Sequence, residues 1–537
     1  MLNMNMSVNH KPSHLSLLLE TGLNQHATSA ALCQKDLQIS FSAIDRISNN
    51  IADLLRAKGM ARGDACLVSS IKTWHIVPLA LAIWKCGGIF VPVDKELPLK
   101  RQQFIATEIN PKFIFGRTLD KNMLDRIHAG ALVAFYEDES IFRESTEIFS
   151  LDTSVSTDDI AYIMYTSGSA GTPKGVMMSH GAVTTYLHGH NEVLAFDSAC
   201  KCLNNAPFHF DVSIQDIFLP LFFGACVYIT DGLPVGQKLL SLLEKHAITH
   251  LIAVASILTI MTPSPDEFKR RDFRSLRVIM TGAEVCDYKI INSWVTALQG
   301  VRVINGYGPT EVNSISLTYT ITHKNKSQSY YPIGVPLRTV KAALIDVDGR
   351  LVNSTATHGE LILSGPQLMS GYWNRDDLMA KSLIDIHGVS YYRTGDLCYL
   401  DNSGNYNFVG RTDHEVKVNG RRINLSEIQN SLMMIDGVSS ASADLVMIHN
   451  EKTFAAAIVL KDGFPPLTYR FLIDTLSTTL PRYMVPSIYA QLRDSYLNSN
   501  GKFNKAPIMN MLVEYASSYD GNNYYFGHAD GKAELLG

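Results

Sequence analysis

Short apolar runs recur along the chain, each bounded by Gly, Ser, Thr or Asn: ACLVSS at 65–70, GIFVPV at 88–93, KFIFG at 112–116, AYIMYT at 161–166, CVYIT at 226–230, HLIAVA at 250–255, SLRVIMTG at 275–282 and VRVING at 301–306. Runs of this length, rich in β-branched and aromatic residues, predict strands buried on both faces. Between them lie segments of helical period such as SAIDRISNNIADLLRAKG at 42–59 and GQKLLSLLEKHA at 236–247. The alternation predicts an α/β fold with largely parallel sheets. In such sheets the strand ends rich in Gly, Ser and Thr are the natural ligand positions. IFLPLFFGACVYI at 217–229 is strongly apolar but too short to span a bilayer, and predicts a buried helix end followed by a strand.

The texture changes near residue 330. VKAALIDVDGRLV at 340–352 carries an Asp-Gly turn between two alternating runs, which predicts a β-hairpin. Asp346, Asp348 and Gly349 resemble the start of a calcium loop, but the later ligands and the terminal Glu are missing, so a plain turn is expected. Short strands continue through GELILSG and YYRTGDLCYLDNSGNYNFVG, a small antiparallel or barrel-like section. After GRTD at 410–413 a smaller α+β unit follows: a hairpin and helix in EVKVNGRRINLSEIQNSLMMIDGV, then strands in SADLVMIH and FAAAIVL. The expected division is 1–412 as the large N-terminal unit and 413–505 as the small C-terminal one. Residues 506–537 form a tail, expected to be disordered or a surface helix.

Composition narrows the class without deciding it. The chain has 537 residues, 46% hydrophobic and 18% charged, and its 47 basic and 51 acidic residues give a net charge of −4. There is no basic excess to attract nucleic acid. The eight cysteines are scattered, mostly in apolar runs, the pattern of reduced thiols in a cytoplasmic protein. Cys200 and Cys202 have no second pair nearby to complete a zinc site, and His188 and His190 read as core or surface residues. The first 22 residues lack a secretory pattern.

YTSGSAGTPKGV at 165–176 follows a predicted strand. Small hydroxyl residues and glycines offer donors with little bulk, and Lys174 adds a cation; a polyphosphate needs both. The loop is not a P-loop, because Lys174 precedes Gly175 and no hydroxyl residue follows the lysine. By itself it reads equally well as a flexible connector.

Other stretches accompany it in order: WKCGGIFVPVD at 84–94, NGYGPTE at 305–311, GELILSGPQLMSGYWNR at 359–375, YRTGDL at 392–397, GRTDHEVKVNGRR at 410–422, LPRYMVP at 480–486 and NGK at 500–502. From about residue 15 to 505 this set resembles the adenylate-forming superfamily of acyl-CoA synthetases, luciferases and adenylation domains of nonribosomal peptide synthetases. The resemblance implies that a carboxylate attacks the α-phosphorus of ATP, giving an acyl-adenylate and pyrophosphate with Mg²⁺ as cofactor. It implies that Thr166, Ser167, Gly168, Ser169, Gly171, Thr172 and Lys174 cradle the β- and γ-phosphates. Tyr307 would stack on adenine and Asn305 would meet its exocyclic amine. Thr310 and Glu311 would face phosphate and Mg²⁺, Asp396 would accept from the ribose hydroxyls with Arg411 assisting, and Lys502 would stabilise the reacting anions. Asp413 matches the hinge about which the C-terminal unit swings. The sequence departs from the pattern after Lys502, where FNK stands for the usual Asp-Arg pair, and at VNGRRIN, where a basic residue commonly precedes the glycine.

PFHFDVSIQDIF at 207–218 bears on the acid that is activated. Peptide-synthetase adenylation domains resemble it, with the aspartate on the substrate α-ammonium. Asp211 occupies that place, and a carboxylate among apolar groups is costly without a cation. The competing expectation is that Asp211 or Ser213 caps a helix over SIQDIF. By the same resemblance Val212, Gln215, Met280, Gly282, Gly306, Ser314 and Ile315 line a neutral pocket, in which Gly306 leaves room and Met280 takes some away. Proline or another small neutral amino acid is the expected substrate. No carrier-protein serine motif follows Lys502 and no HHxxxDG motif occurs. The expected acceptor is therefore the phosphopantetheine thiol of a separate carrier protein, with no nucleic acid and no membrane as partner. An acyl- or aryl-CoA synthetase, a luciferase-like oxygenase and a non-catalytic binding protein are the alternatives.

Overall fold

The buried runs do form strands, and their order places the candidate site. The computed structural model describes residues 13–117, 131–145, 155–167, 172–232, 236–321, 330–352, 354–412, 415–449, 451–461, 463–492, 512–513, 526–528 and 532–534. The chain divides into two compact units: 1–95, 106–165 and 175–412 in one, and 96–105, 166–174 and 413–537 in the other.

The first unit holds two large sheets. In a nine-stranded sheet the parallel centre runs Arg302–Tyr307, Val278–Gly282, His250–Val254, Lys201–Asn204, Cys226–Ile229 and Ala30–Gln34. Antiparallel strands close it at both edges, Leu317–Ile321 with Val335–Pro336 at one and Leu37–Ser40 at the other. The strands Leu37–Ser40 and Lys201–Asn204 were not legible as apolar runs, since each carries only two apolar residues. A second sheet of seven strands is built around Ala65–Ser70 and Ile89–Asp94, with Ile160–Thr166 and Lys174–Ser179 to one side. Every residue of Ala65–Ser70 is buried, as expected of a strand covered on both faces.

Helices start where serine can cap them. Ser40 Oγ accepts from the Ala43 N–H at 3.1 Å ahead of the helix Phe41–Ala57, and Ser179 Oγ from the Ala182 N–H at 3.2 Å ahead of His180–Leu194. Trp84 is fully buried, and its indole N–H is satisfied by the Ala161 carbonyl at 2.8 Å.

The section after residue 330 is a five-stranded sheet of Lys341–Ile345, Gly359–Ser364, Val389–Leu400, Leu383–Ile386 and Tyr406–Arg411. The hairpin expected over 340–352 is not the main pairing. The Asp-Gly turn forms, with the Asp346 carboxylate accepting from the Asp348 and Arg350 N–H groups. Beyond it only a single bridge joins Ile345 to Leu351, while Lys341–Ile345 pairs over its whole length with Gly359–Ser364. The longer register wins because it satisfies more backbone groups.

The second unit carries the hairpin Glu415–Val418 and Arg421–Asn424, whose Asn419 and Gly420 both take positive φ (51° and 74°) as its tight turn requires. The helix Leu425–Met433 follows, then a sheet in which Glu451–Leu460 pairs antiparallel with Val438–Ile448 and parallel with Ile488–Leu492. Of the tail, residues 512–513, 526–528 and 532–534 are described. Leu512 is buried in a cluster with Val446, Ala455 and Ile488, and Phe526–His528 pairs with Lys532–Glu534.

Candidate active site

The strand Arg302–Tyr307 presents Asn305 and Tyr307 near its C-terminal end. Asn305 is 8% exposed, and its Nδ2 donates to the Pro332 carbonyl at 2.8 Å, which orients the side-chain oxygen as the acceptor. The Tyr307 hydroxyl donates to Asp396 Oδ2. Arg411 Nη1 donates to Asp396 Oδ1 at 2.5 Å, and the two residues face each other across the paired strands Val389–Leu400 and Tyr406–Arg411. Asp396 is 2% exposed, so the carboxylate is buried against its cation, and each oxygen keeps a second lone pair for a further donor. Burial, and then the Asp396 charge, push the Tyr307 hydroxyl far above its ordinary pKa, so it stays a donor.

The chain then turns sharply through NGYGPTE. A Cβ at Gly308 would lie 2.2 Å from the Ser314 carbonyl oxygen, so no larger residue fits there. Asn313 and Ser314 both adopt positive φ (57° and 70°), which costs on the order of 1–3 kcal/mol each. Gln367 helps hold this turn: its amide donates to the Val312 and Ile315 carbonyls at 2.8 and 2.9 Å and accepts from Thr339 Oγ1 at 2.6 Å. Sequence reasoning passed over Gln367, although it lies within the quoted stretch 359–375. Thr310 and Glu311 lie in the short 3-10 turn Thr310–Val312. Glu311 is fully buried, and its Oε1 accepts from the Tyr372 hydroxyl at 2.8 Å.

Among the described residues no group of three or more His, Cys, Asp or Glu side chains converges on a metal position. Magnesium beside a nucleotide needs only one or two protein carboxylates, the rest coming from phosphate and water. The buried carboxylate of Glu311 fits that requirement.

Of the loop residues, Thr166 ends the strand Ile160–Thr166 with its hydroxyl buried and without a hydrogen-bond partner. Such an orphan fits a phosphate oxygen. The Ser167 hydroxyl donates instead to the Arg422 carbonyl at 2.5 Å, within the second unit. Thr172 is half-buried and Lys174 is 9% exposed. Gly168, Ser169, Gly171, Asp413 and Lys502 lie outside the described residues.

Asp211 lies in the connection after the strand Lys201–Asn204. A helix does form here, as the π-helical turn Ile214–Phe218 leading into Leu219–Phe222, but no side chain caps the turn; the Ser213 hydroxyl donates to the Phe208 carbonyl at 3.2 Å. Burial, and then the Asp211 charge, push the Tyr162 and Tyr186 hydroxyls far up. Tyr162 in turn donates to Asn313 Oδ1 at 2.8 Å.

The segment is anchored by a residue the sequence reading did not single out. Asp216 is fully buried and accepts from Asn204 Nδ2 at 2.8 Å and from the Asn205 and Ala206 N–H groups at 3.1 and 3.0 Å. Lys72 Nζ donates to the Asn204 and Ala206 carbonyls at 3.3 and 2.9 Å and also to Asn204 Oδ1. Burial pushes the Asp216 carboxyl up to about 6 against the pull of Lys72, and burial pulls Lys72 down to about 8 against the pull of Asp216. Only an apolar flank with a lone Asp at 216 signalled this in the sequence.

Gln215 is 2% exposed; its Nε2 donates to Ser314 Oγ at 2.7 Å, while its Oε1 is buried without a partner. Val212 packs against the main core, and Met280 and Ile315 are buried in it. Gly282 and Gly306 are neighbours across parallel strands, and a Cβ at Gly282 would lie 2.4 Å from the Gly306 oxygen. The room expected beside Gly306 is occupied: a Cβ there would meet Met280 Cε at 2.2 Å and Ile315 Cδ1 at 3.0 Å. The Met280 side chain, curling back over the glycine, fills the space that the missing side chain leaves.

A family profile described as AMP-binding enzyme matches residues 19–373. Curated relatives include tyrocidine synthase 2 of Brevibacillus parabrevis, 28% identical over 480 residues, covering 88% of this chain and 13% of the relative. Gramicidin S synthase 1 of Brevibacillus brevis is 26% identical over 494 residues, covering 91% and 43%. Bacitracin synthase 3 of Bacillus licheniformis is 30% identical over 490 residues, covering 89% and 7%. The chain thus spans less than half the length of each. Among solved structures the fold is similar to an artificially fused adenylation–PCP didomain, NpsA-ThdA, from Klebsiella oxytoca, with TM-score 0.78 and 21% identity over 89% of this chain and 94% of that one. It is also similar to an o-succinylbenzoate CoA synthetase mutant from Bacillus subtilis, with TM-score 0.80 and 22% identity over 93% and 98%. The turn at 305–311, the buried Asp396–Arg411 pair and the profile spanning most of the first unit lead to one statement: the chain belongs to the AMP-binding enzyme family.

Proposed function

We propose that this protein activates a neutral α-amino acid, proline or another small one, as its aminoacyl-adenylate at the expense of ATP, and passes it to the phosphopantetheine thiol of a separate carrier protein. The observation that carries the reading is Asp211, on a segment that Asp216 anchors through the Asn205 and Ala206 N–H groups and with a charge that acts on the buried Tyr162 and Tyr186. An α-ammonium sets a positive charge against that carboxylate and fixes the substrate carboxylate at a defined distance from it. The relatives, named as synthases of tyrocidine, gramicidin S and bacitracin, support an amino acid over an amine-free acid.

In this reading Asn305 accepts from the adenine amine, Tyr307 packs against the base, and the free lone pairs of Asp396 accept from the ribose. Thr166, Thr172 and Lys174 bind phosphate oxygens. Thr310 and Glu311 would hold the magnesium nucleotide, and the cation bound there would supply neutralisation of phosphate charge. Lys502, in the unit proposed to begin at Asp413, supplies the ammonium that draws carboxylate and α-phosphate together.

The test is ATP–pyrophosphate exchange across the proteinogenic amino acids and simple organic acids. Exchange with one neutral amino acid is the expected result. Exchange with amine-free acids alone would move the protein to the acyl-CoA ligases, whose fold it shares.

A further inference from the structure

Away from the nucleotide and acid residues, two cysteines 193 residues apart approach each other at the edge of the nine-stranded sheet. Cys33 Sγ lies 3.6 Å from Cys226 Sγ. They come from adjacent parallel strands, Ala30–Gln34 and Cys226–Ile229, with Leu32 opposite Val227 and Cys33 opposite Tyr228. Side chains alternate faces along a strand, so Cys33, Cys226 and Tyr228 share one face while Leu32, Val227 and Ile229 turn to the other. Cys33 is buried, and Cys226, Tyr228 and Lys201 are half-buried, so the site borders solvent. Lys201 is the register partner of Cys226 on the next strand. The Tyr228 ring packs 4.5 Å from that of His246.

We propose that Cys33 and Cys226 form a reversible dithiol–disulfide site that a hydroperoxide closes, tying the strand Ala30–Gln34 to Cys226–Ile229. The thiolate of Cys33 attacks one oxygen of hydrogen peroxide: an S–O bond forms, the O–O bond breaks, and the leaving hydroxide takes a proton to become water. Cys226 then attacks the resulting sulfenic sulfur: the S–S bond forms, the S–O bond breaks, and a second water leaves. Two thiols are oxidised by two electrons and one peroxide is reduced to two waters, so the step balances. Closing the gap takes about 1.5 Å of approach, since a disulfide S–S bond is about 2.05 Å.

The electrostatics suit this order of events. The contact with Cys226, together with Tyr228 and Lys201, draws the Cys33 thiol down to about 7 against the effect of burial. Cys226 is pushed far up by that same contact and by burial. One thiol is thus poised as nucleophile and the other as resolving partner. By contrast, Cys66 and Cys202 are pushed well up by burial and then by the charge of their neighbours, Cys86 and Asp64 for the first and Asp216 and Cys200 for the second.

The full-length protein, treated with stoichiometric hydrogen peroxide, quenched with iodoacetamide and mapped without reduction, should yield one linked peptide pair containing Cys33 and Cys226, released by dithiothreitol. Linkage should raise the thermal midpoint by several degrees, because the cross-link closes a long loop in the unfolded chain. Cys226→Ser should abolish the link and leave Cys33 as a dimedone-reactive sulfenic acid, whereas Cys202→Ser should leave it intact. Full alkylation of both cysteines after peroxide, over-oxidation of Cys33 without linkage, or linkage through other cysteines would each overturn the proposal. Because the readout is a peptide mass on the wild-type chain, it does not depend on any variant folding or on which acid the enzyme activates.

Discussion

The Asp396 cluster and the wall around Gln215 are both buried, yet they use their polar atoms in opposite ways. At Asp396 each carboxylate oxygen already has a donor from within the chain, Tyr307 on one side and Arg411 on the other. At Gln215 one amide end is satisfied by Ser314 while the buried Oε1 has no partner. The first arrangement is electrostatic preorganisation: the field is set when the protein folds and needs no rearrangement at the moment of reaction. The second keeps hydrogen-bonding capacity in reserve, the mark of a surface completed by something the chain does not supply. Under the proposed function these are a nucleotide side assembled in advance and an acid side left incomplete, as an enzyme that binds one common and one particular substrate requires.

The largest expected effect comes from removing the preassembled side. Asp396→Ala strands the Arg411 guanidinium in a buried position and should cost about 3–5 kcal/mol of stability in urea denaturation. It should also lower adenylate formation on the order of a hundredfold. Tyr307→Phe should cost only about 1.5–3 kcal/mol, since Arg411 keeps its partner. If the two variants were equally mild, the cluster would not be the anchor described.

Lys72→Met should be nearly as costly as Asp396→Ala, about 3–5 kcal/mol, because it leaves Asp216 buried without its cation. The pH dependence separates the pair from general acid denaturation. Unfolded, the Asp216 carboxyl loses its proton near 3.8; folded, it holds it to about 6. Between those values the unfolded state binds fewer protons, so this group makes stability fall as pH rises. For Lys72 the window lies between about 8 and 10.5, where the unfolded state binds more protons and stability rises with pH. Asp216→Asn should remove this fall in stability on the acid side and, by taking away the charge that holds Lys72 up, extend the alkaline window to lower pH.

Asp211→Asn tests the acid side directly. A hydrogen bond to a charged group contributes about 1.5–3 kcal/mol, so KM for the amino acid should rise by roughly ten- to a hundredfold with KM for ATP unchanged. Unaltered kinetics in pyrophosphate exchange would mean the activated acid carries no amine at that place.

The smallest contrast is between two adjacent glycines. At Gly282 a Cβ meets the Gly306 backbone oxygen, which cannot yield, and Gly282→Ala should cost about 1–3 kcal/mol. At Gly306 the obstacle is chiefly the end of Met280, a flexible side chain, so Gly306→Ala should cost less and show its effect in acid selectivity. Equal thermal midpoints for the two would remove the distinction.

Much of this molecule was legible from the chain alone, and for local reasons. Each apolar run predicted at 65–70, 88–93, 112–116, 161–166, 226–230, 250–255, 275–282 and 301–306 contains a strand, because burial on both faces leaves a compositional mark on a few consecutive residues. The turn at Asn419-Gly420 was readable for the same reason, since it needs residues that tolerate positive φ. The candidate side chains Asn305, Tyr307, Glu311, Asp396 and Arg411 could be named because their motifs are contiguous. The tertiary structure decided who meets whom. Tyr307 reaches Asp396, Lys72 reaches the Asn204–Ala206 turn that Asp216 caps, Gln215 reaches Ser314, and Cys33 reaches Cys226, across 89, 132, 99 and 193 residues. Those meetings follow from strand order and register in the sheets, which are set by global packing and backbone pairing rather than by any short stretch of sequence. For the same reason the strand Lys341–Ile345 passed over its near neighbour to pair with Gly359–Ser364, and Met280 filled the space that Gly306 alone promised.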